Sequence, residues 1–258
     1  MSSSDIYKSK DWITEKAFIK KDDYKAMYEQ SISKPDEFWF EQGQRLDWFT
    51  PYTKVRDYSY EKDDLYIKWY EDGELNASYN CLDRHIEKNA DKIAVIWEGD
   101  DPSNSRKITY QELLTEVCKF SNGLKSLGVK KGDRVTIYMP MIPEAAIAML
   151  SCARIGAVHS VVFGGFSPEA LAGRLEDCDS KYIITADEGI RGGKTIPLKE
   201  NVDKAISKIE DFKKCVVVKR TGNAINWDSS IDHWYDDLVS SASDLSLIHI
   251  SEPTRQIV

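Results

Sequence analysis

Apolar runs of strand length, spaced so that helices fit between them, constrain this chain more than any other feature. The runs are Ile93–Trp97, Val135–Met139, Val158–Phe163, Tyr182–Ala186 and Cys215–Val218. Val and Ile dominate them, as extended backbone favours. Several of the intervening segments show helical spacing. Leu113, Val117, Phe120, Leu124 and Leu127 fall on one helical face. Thr109-Tyr-Gln-Glu112 opens that helix as a capping box, and Gly128 closes it. Pro143 opens a second helix, Glu144 to Ile155, which is apolar nearly all round and therefore buried. Ser167-Pro168-Glu169 opens a third, with serine at the cap and proline at the first helical position. Continuous apolar strands between helices predict an α/β fold with a mostly parallel sheet covered on both faces.

Before residue 80 the pattern changes. Aromatics crowd the segment (Trp39, Phe40, Trp48, Phe49, Tyr58, Tyr60, Tyr66, Trp69 and Tyr70) without a clean period. Short helices are expected at 22–31 and 36–46. The aromatics either wrap another surface or form a satellite cluster of their own. The final fourteen residues, Leu245 to Val258, match neither zone. The division is therefore 1–80, 81–244 and 245–258.

Composition narrows the function classes. Of 258 residues, 41% are hydrophobic and 30% charged, an ordinary globular mix. The formal charge of −8 and the lack of a basic stripe argue against a nucleic-acid scaffold. Short basic pairs such as Lys130-Lys131, Lys213-Lys214 and Lys219-Arg220 read as solvated loop or strand ends. No apolar run approaches the roughly 20 residues of a membrane span. Residues Met1 to Lys20 interleave lysines and acids, unlike a secretory signal. Cysteines stand at 81, 118, 152, 178 and 215 without a C-x-x-C pair, so they read as small buried hydrophobes in a reducing cytoplasm.

Three stretches could carry chemistry. In Leu75-Asn-Ala-Ser-Tyr-Asn-Cys-Leu-Asp-Arg-His85, Cys81 and His85 would share a face if one helix held both. Two ligands close no metal site, and a capped helix start with polar residues holding a chain crossing is the simpler expectation. In Val161-Val-Phe-Gly-Gly-Phe-Ser-Pro168, paired glycines follow a strand, where a ligand can approach backbone closely. Tyr182-Ile-Ile-Thr-Ala-Asp-Glu-Gly-Ile-Arg-Gly-Gly-Lys-Thr195 comes near a phosphate-binding P-loop. That motif needs glycine five positions before Gly193, where Glu188 stands, so it is rejected. What remains is a flexible loop with Arg191 and Lys194 flanking Gly192 and Gly193, either a phosphate clamp or a solvated turn.

A series of motifs in order goes further. Trp69-Tyr-Glu-Asp-Gly-Glu-Leu-Asn76, Asn80-Cys-Leu-Asp-Arg-His85, Ile108-Thr-Tyr-Gln-Glu-Leu113, Tyr138-Met-Pro-Met-Ile-Pro-Glu144, Arg154-Ile-Gly-Ala-Val-His-Ser160, Phe163-Gly-Gly-Phe-Ser167 and Arg191-Gly-Gly-Lys194 together resemble the AMP-forming acetyl-CoA synthetases, adenylate-forming acyl-activating enzymes. The likeness runs from about residue 20 to about residue 240. It implies small-molecule substrates of the full-length parent, namely acetate, ATP with Mg²⁺, and CoA, none of them expected to be bound tightly by this fragment. It also implies that Arg191 and Lys194, beside Gly192 and Gly193, hold the 3′-phosphate of CoA. Gly164 and Gly165, with Ile196 and Pro197, would line its adenine pocket. No catalytic residue and no metal ligand carries over onto this chain.

The likeness has one large departure. The family's Ser/Thr/Gly-rich ATP-phosphate loop, ending Gly-Lys-Pro-Lys-Gly, should follow Trp234-Tyr-Asp-Asp-Leu-Val239, and no such run is present. Instead Leu245-Ser-Leu-Ile-His-Ile-Ser-Glu-Pro-Thr-Arg255 resembles the translation of a sequencing-library adapter, so His249 receives no role. A divergent C-terminal strand and a truncated relative are the alternatives. Three functional readings follow: a front fragment of an acetate–CoA ligase, a non-catalytic CoA- or partner-binding module natural at this length, and an unrelated nucleotide-binding domain built on the Arg191 loop. Without a phosphate loop little stabilises transition-state charge, so the chain alone is expected to make no acetyl-CoA. Acetate-dependent acetyl-CoA formation by the purified polypeptide would overturn that expectation.

Overall fold

Hydrophobic burial and local capping together set the elements of the chain, seen here in a computed structural model that describes residues 8–245. The adapter-like stretch after Leu245 lies outside the described residues. Helices α1 (Asp11–Lys16), α2 (Lys21–Ser33) and α3 (Pro35–Gly43) come first, followed by the antiparallel hairpin β1 (Arg56–Glu61) and β2 (Asp64–Trp69). Pro35 at the first position of α3 separates it from α2. The aromatics of this region pack on one another. Tyr52 meets Phe40, Trp48 and Tyr70 at ring separations of 5.5, 4.8 and 4.6 Å. Phe38, Tyr52 and Val55 are buried here, apart from the main core. The satellite-cluster expectation therefore describes this segment.

Polar bonds join that cluster to the body. Helices α4 (Ala77–Cys81) and α5 (Asp83–Asn89) are separate, broken at Leu82. Cys81 and His85 thus do not share one helical face, and the two-ligand spacing dissolves. The break has a physical purpose. Buried Leu82 anchors in the core while Asp83 turns to meet Arg154. Arg154 donates both terminal nitrogens to the Asp83 carboxylate at 2.8 and 3.0 Å, a bidentate pair whose arginine side chain is 4% exposed. Asn76, fully buried, works at two helix ends at once. Its Oδ1 accepts from Tyr79 N–H at 3.1 Å, while its Nδ2 donates to the Ala153 carbonyl at 2.9 Å. The expected capped helix start and polar chain crossing are both present.

Next comes the hairpin β3 (Ile93–Glu98) and β4 (Ser105–Thr109), antiparallel and outside the main sheet. The run Ile93–Trp97, read as one of the sheet's strands, belongs here instead. Asp101 reverses the chain by accepting from Ser103 N–H and Oγ–H, and Gly99 N–H donates to Asn104 C=O. Ile96 is left 71% exposed, which no central strand would tolerate. Thr109 then caps α6 (Tyr110–Ser126): its hydroxyl oxygen accepts from Glu112 N–H, and the Glu112 carboxylate accepts from Thr109 N–H at 2.8 Å.

The body alternates β5 (Arg134–Met139), α7 (Pro143–Arg154), β6 (Val158–Phe163), α8 (Pro168–Asp177) and β7 (Tyr182–Ala186). A small hairpin, β8 (Gly189–Arg191) and β9 (Lys194–Ile196), leads to α9 (Leu198–Ile206), then β10 (Lys214–Val218), β11 (Asp232–Trp234) and α10 (Tyr235–Ser241). Five strands form one parallel sheet in the order β11-β10-β7-β5-β6. The chain moves from β5 to the edge at β6, then back across β5 to β7. Right-handed crossovers therefore place α7 and α8 on opposite faces. Accordingly α6 packs with α7 and α10, and α8 packs with α9. Residues Val135–Met139 and Tyr182–Ala186 are buried throughout, as expected of strands covered on both faces.

The Asp83–Arg154 pair ties α5, directly after the N-terminal cluster, to α7. Removing the carboxylate while keeping the buried guanidinium costs about 3 kcal/mol. Asp83→Ala is expected to lower urea-unfolding stability by about that amount, and an unchanged midpoint would show the pair to be dispensable.

Candidate functional site

In a parallel sheet the loops at the carboxyl ends of the strands are free to line a crevice, most deeply where successive connections leave to opposite faces. Here that point lies between β5, which leads to α7, and β7, which leads to α9 on the other side. A cavity of about 390 Å³ opens there. Met139, Pro140, Met141 and Ile142 line it from the end of β5; Phe163, Gly164 and Gly165 from the end of β6. Ile190, Arg191, Ile196 and Leu198 come from the connection after β7, and Trp97 and Arg220 close the remaining side.

The Gly164-Gly165 turn is held tightly. Tyr138, buried on β5, donates its hydroxyl toward the Phe166 carbonyl at 2.7 Å, with the Gly164 carbonyl 3.2 Å away. A Cβ on Gly164 would stand 3.2 Å from the Met139 carbonyl and 3.5 Å from Leu198 Cδ2. Glycine there keeps the turn against the sheet end and leaves backbone open to the cavity.

The Arg191 segment is not the flexible loop expected from its glycines. It is the hairpin β8–β9, with Arg191 paired directly opposite Lys194. Gly192 and Gly193 have φ of +55° and +72°, the double left-handed geometry that two-residue hairpin turns require. Like charges directly opposite on a hairpin disfavour it, so Arg191 and Lys194 form a cationic pair that an anion would relieve. The Arg191 guanidinium lies over the Phe163 ring at 5.3 Å.

Of the residues singled out from sequence, Gly164, Gly165, Arg191 and Ile196 meet on the cavity wall. Gly192, Gly193 and Lys194 sit at the exposed hairpin tip beside it, and Pro197 caps α9 immediately after Ile196. Three further residues were missed. Trp97 donates its indole N–H to the Met141 carbonyl at 2.7 Å, which pins the β3–β4 hairpin over the crevice. Arg220, grouped from sequence with Lys219 as a solvated pair, stacks its guanidinium on Trp97 at 5.0 Å and lines the cavity. It is half-buried, one residue beyond the exposed Lys219, at the end of the buried run Cys215–Val218 that carries the chain to the crevice.

The third is Asp187, 1% exposed just beyond β7. Its Oδ1 accepts from Glu188 N–H at 2.6 Å and Arg220 N–H at 2.8 Å, and its Oδ2 from Thr221 at 3.1 Å and Gly222 at 2.8 Å. Its backbone N–H donates to Val218 and its carbonyl accepts from Lys199 N–H. Glu188 adds bonds from Thr221 Oγ and Asn223 Nδ2. A polar pair after an apolar strand was visible in sequence; the amides it would collect were not.

Cys118, Cys152 and Cys215 are buried as expected, and burial pushes the Cys152 thiol up to about 12. Cys81 is exposed. Among the described residues no group of three or more His, Cys, Asp or Glu is placed to hold a metal. No helix among them is long and apolar enough to cross a membrane.

A glycine-lined crevice at the switch point of a parallel α/β sheet is the place where such sheets take ligands, and the family match says which kind of protein it belongs to. The chain belongs to the AMP-binding enzyme family, whose model matches residues 82–249. Within that family its kinship is with acetyl-coenzyme A synthetases, whose N-terminal region matches residues 24–81. It is 55% identical over 246 residues to the acetyl-coenzyme A synthetase of Shewanella halifaxensis, a match covering 95% of this chain and 38% of that relative. The corresponding enzyme of Parvibaculum lavamentivorans is 59% identical over 228 residues, covering 88% of this chain and 35% of that relative. The chain thus spans little more than a third of these relatives, and measured against them it is a fragment. The solved acetoacetyl-CoA synthetase of Streptomyces lividans shares the fold, with a TM-score of 0.78 at 22% identity, over 89% of this chain and 34% of that one.

Asp187→Ala would orphan the amides of Arg220, Thr221 and Gly222, each costing about 1–3 kcal/mol if buried without a partner. The expected result is a lower unfolding midpoint together with faster hydrogen exchange at those three amides. Unchanged exchange there would show that the loop holds itself.

Proposed function

We propose that this chain is the coenzyme A-binding front of an acetate–CoA ligase. In the complete enzyme acetate attacks the α-phosphate of ATP, accompanied by Mg²⁺, to give acetyl-AMP and pyrophosphate. The CoA thiol then displaces AMP to give acetyl-CoA. Residues 1–80 are the N-terminal extension and 81–244 the first part of the AMP-binding domain.

One observation supports this reading above others: Gly164, Gly165, Arg191 and Ile196, far apart in sequence, converge on one largely apolar cavity. The open backbone of Gly164 and Gly165 on one side, with Ile196 on the other and Pro197 just beyond it, suits a flat adenine. Arg191 and Lys194, paired at the hairpin turn, suit a phosphate monoester at its rim. The chain itself binds and orients the CoA nucleotide; it contributes no group to the adenylation chemistry and by itself makes no acetyl-CoA. The buried free thiols are in keeping with a reducing cytoplasm.

Comparing CoA with dephospho-CoA, which lacks the 3′-phosphate, isolates the clamp. The purified chain is expected to bind CoA about tenfold more tightly by calorimetry, a charge-assisted contact's usual worth. Arg191→Gln should erase that preference. Equal affinity of the wild-type chain for both ligands would refute the assignment.

A further inference from the structure

The cavity carries a cation at each lateral end. Arg191 stands at the β6 side, stacked on Phe163, and Arg220 at the β10 side, stacked on Trp97. Crossing from β6 through β5 and β7 to β10 takes three strand spacings, about 14 Å. Both side chains line the cavity, and the floor between them includes Met139, Ile142, Ile196 and Leu198. Neither arginine forms an ion pair with a carboxylate among the described residues. The acids on the lining are Glu98 and Asp100, both exposed on the β3–β4 hairpin.

Arg220 is also held in place at both ends. Its backbone N–H is fixed by the buried Asp187 carboxylate at 2.8 Å, and its guanidinium rests on a Trp97 ring itself anchored to Met141. A guanidinium over an aromatic ring and paired with no carboxylate has N–H donors left for an anion. Ligands with two separated anionic groups and a flat apolar ring to lie on the floor match this arrangement.

We infer that Arg220 is a second anion-recognising residue, taking the 5′-diphosphate of a 3′-phosphorylated adenine nucleotide while Arg191 takes its 3′-phosphate. The assignment rests on the CoA reading above and adds to it a residue outside the Arg191 hairpin. It makes the crevice selective for nucleotides phosphorylated at both positions. A residue that merely clamped Trp97 would stabilise the loop without distinguishing ligands.

Calorimetric titration with adenosine 3′,5′-bisphosphate and adenosine 3′-monophosphate separates these cases. In the wild-type chain the bisphosphate is expected to bind more tightly. Arg220→Gln should weaken it about tenfold and leave the 3′-monophosphate unchanged. Arg220→Met, which keeps the aliphatic stem against Trp97, should give the same split. Arg191→Gln should weaken both probes. Equal weakening of both probes by Arg220→Gln and Arg220→Met, or no weakening of either, would overturn the role of Arg220. Failure of the wild-type chain to bind either probe would instead remove the CoA reading and this inference with it.

Discussion

The crevice depends on one buried carboxylate. Asp187 sits at the end of the central strand β7 and spends its lone pairs on four backbone amides, three of them from the loop after β10. A charge removed from water is tolerable only when donors replace the hydration shell, and here main-chain donors do so. The consequence is geometric. The end of β7, the entry to α9 and the loop carrying Arg220 are locked together, so one wall of the cavity is rigid before any ligand arrives. Flexible loops around the same crevice would have to be ordered on binding, at a cost in affinity.

A second fixed point governs the other half of the molecule. The aromatic N-terminal segment has its own small core, and a small core is only marginally stable alone. Asn76 attaches it to the end of α7 through the Ala153 carbonyl, and Asp83, just beyond it, fixes α5 to Arg154. These contacts run where polar groups would otherwise be stranded: helix-terminal carbonyls and a buried guanidinium. The stretch that holds Asn76 and Asp83 drew attention in sequence for its Cys81/His85 spacing, and its real work is joining.

Stacked arginines are the recurring device at the site. Arg191 lies over Phe163 and Arg220 over Trp97, and neither is ion-paired with a carboxylate among the described residues. An ion pair in either place would fill the position an anionic ligand needs. Aromatic support orients the cation at a modest gain of about 0.5–1 kcal/mol and leaves its donors available.

Sequence alone determined the α/β class, the helix caps at Thr109 and Ser167, the start of α7 at Pro143 and the mutual kinship of the motifs. These rest on short-range physics, such as periodicity, capping and the fixed φ of proline, which act within a turn or two of chain. Tertiary structure decided the rest. Ile93–Trp97 left the sheet because Asp101 reverses the chain and lets it pair locally with Ser105–Thr109. Gly192 and Gly193 made a tight hairpin instead of a loose loop, since their strands found each other across the turn. Trp97, Asp187 and Arg220 were not recognised as site residues because each acts through a partner 33 or more residues away. Which strand lies beside which is set by long-range packing of buried faces, and that order alone brings those partners to one crevice.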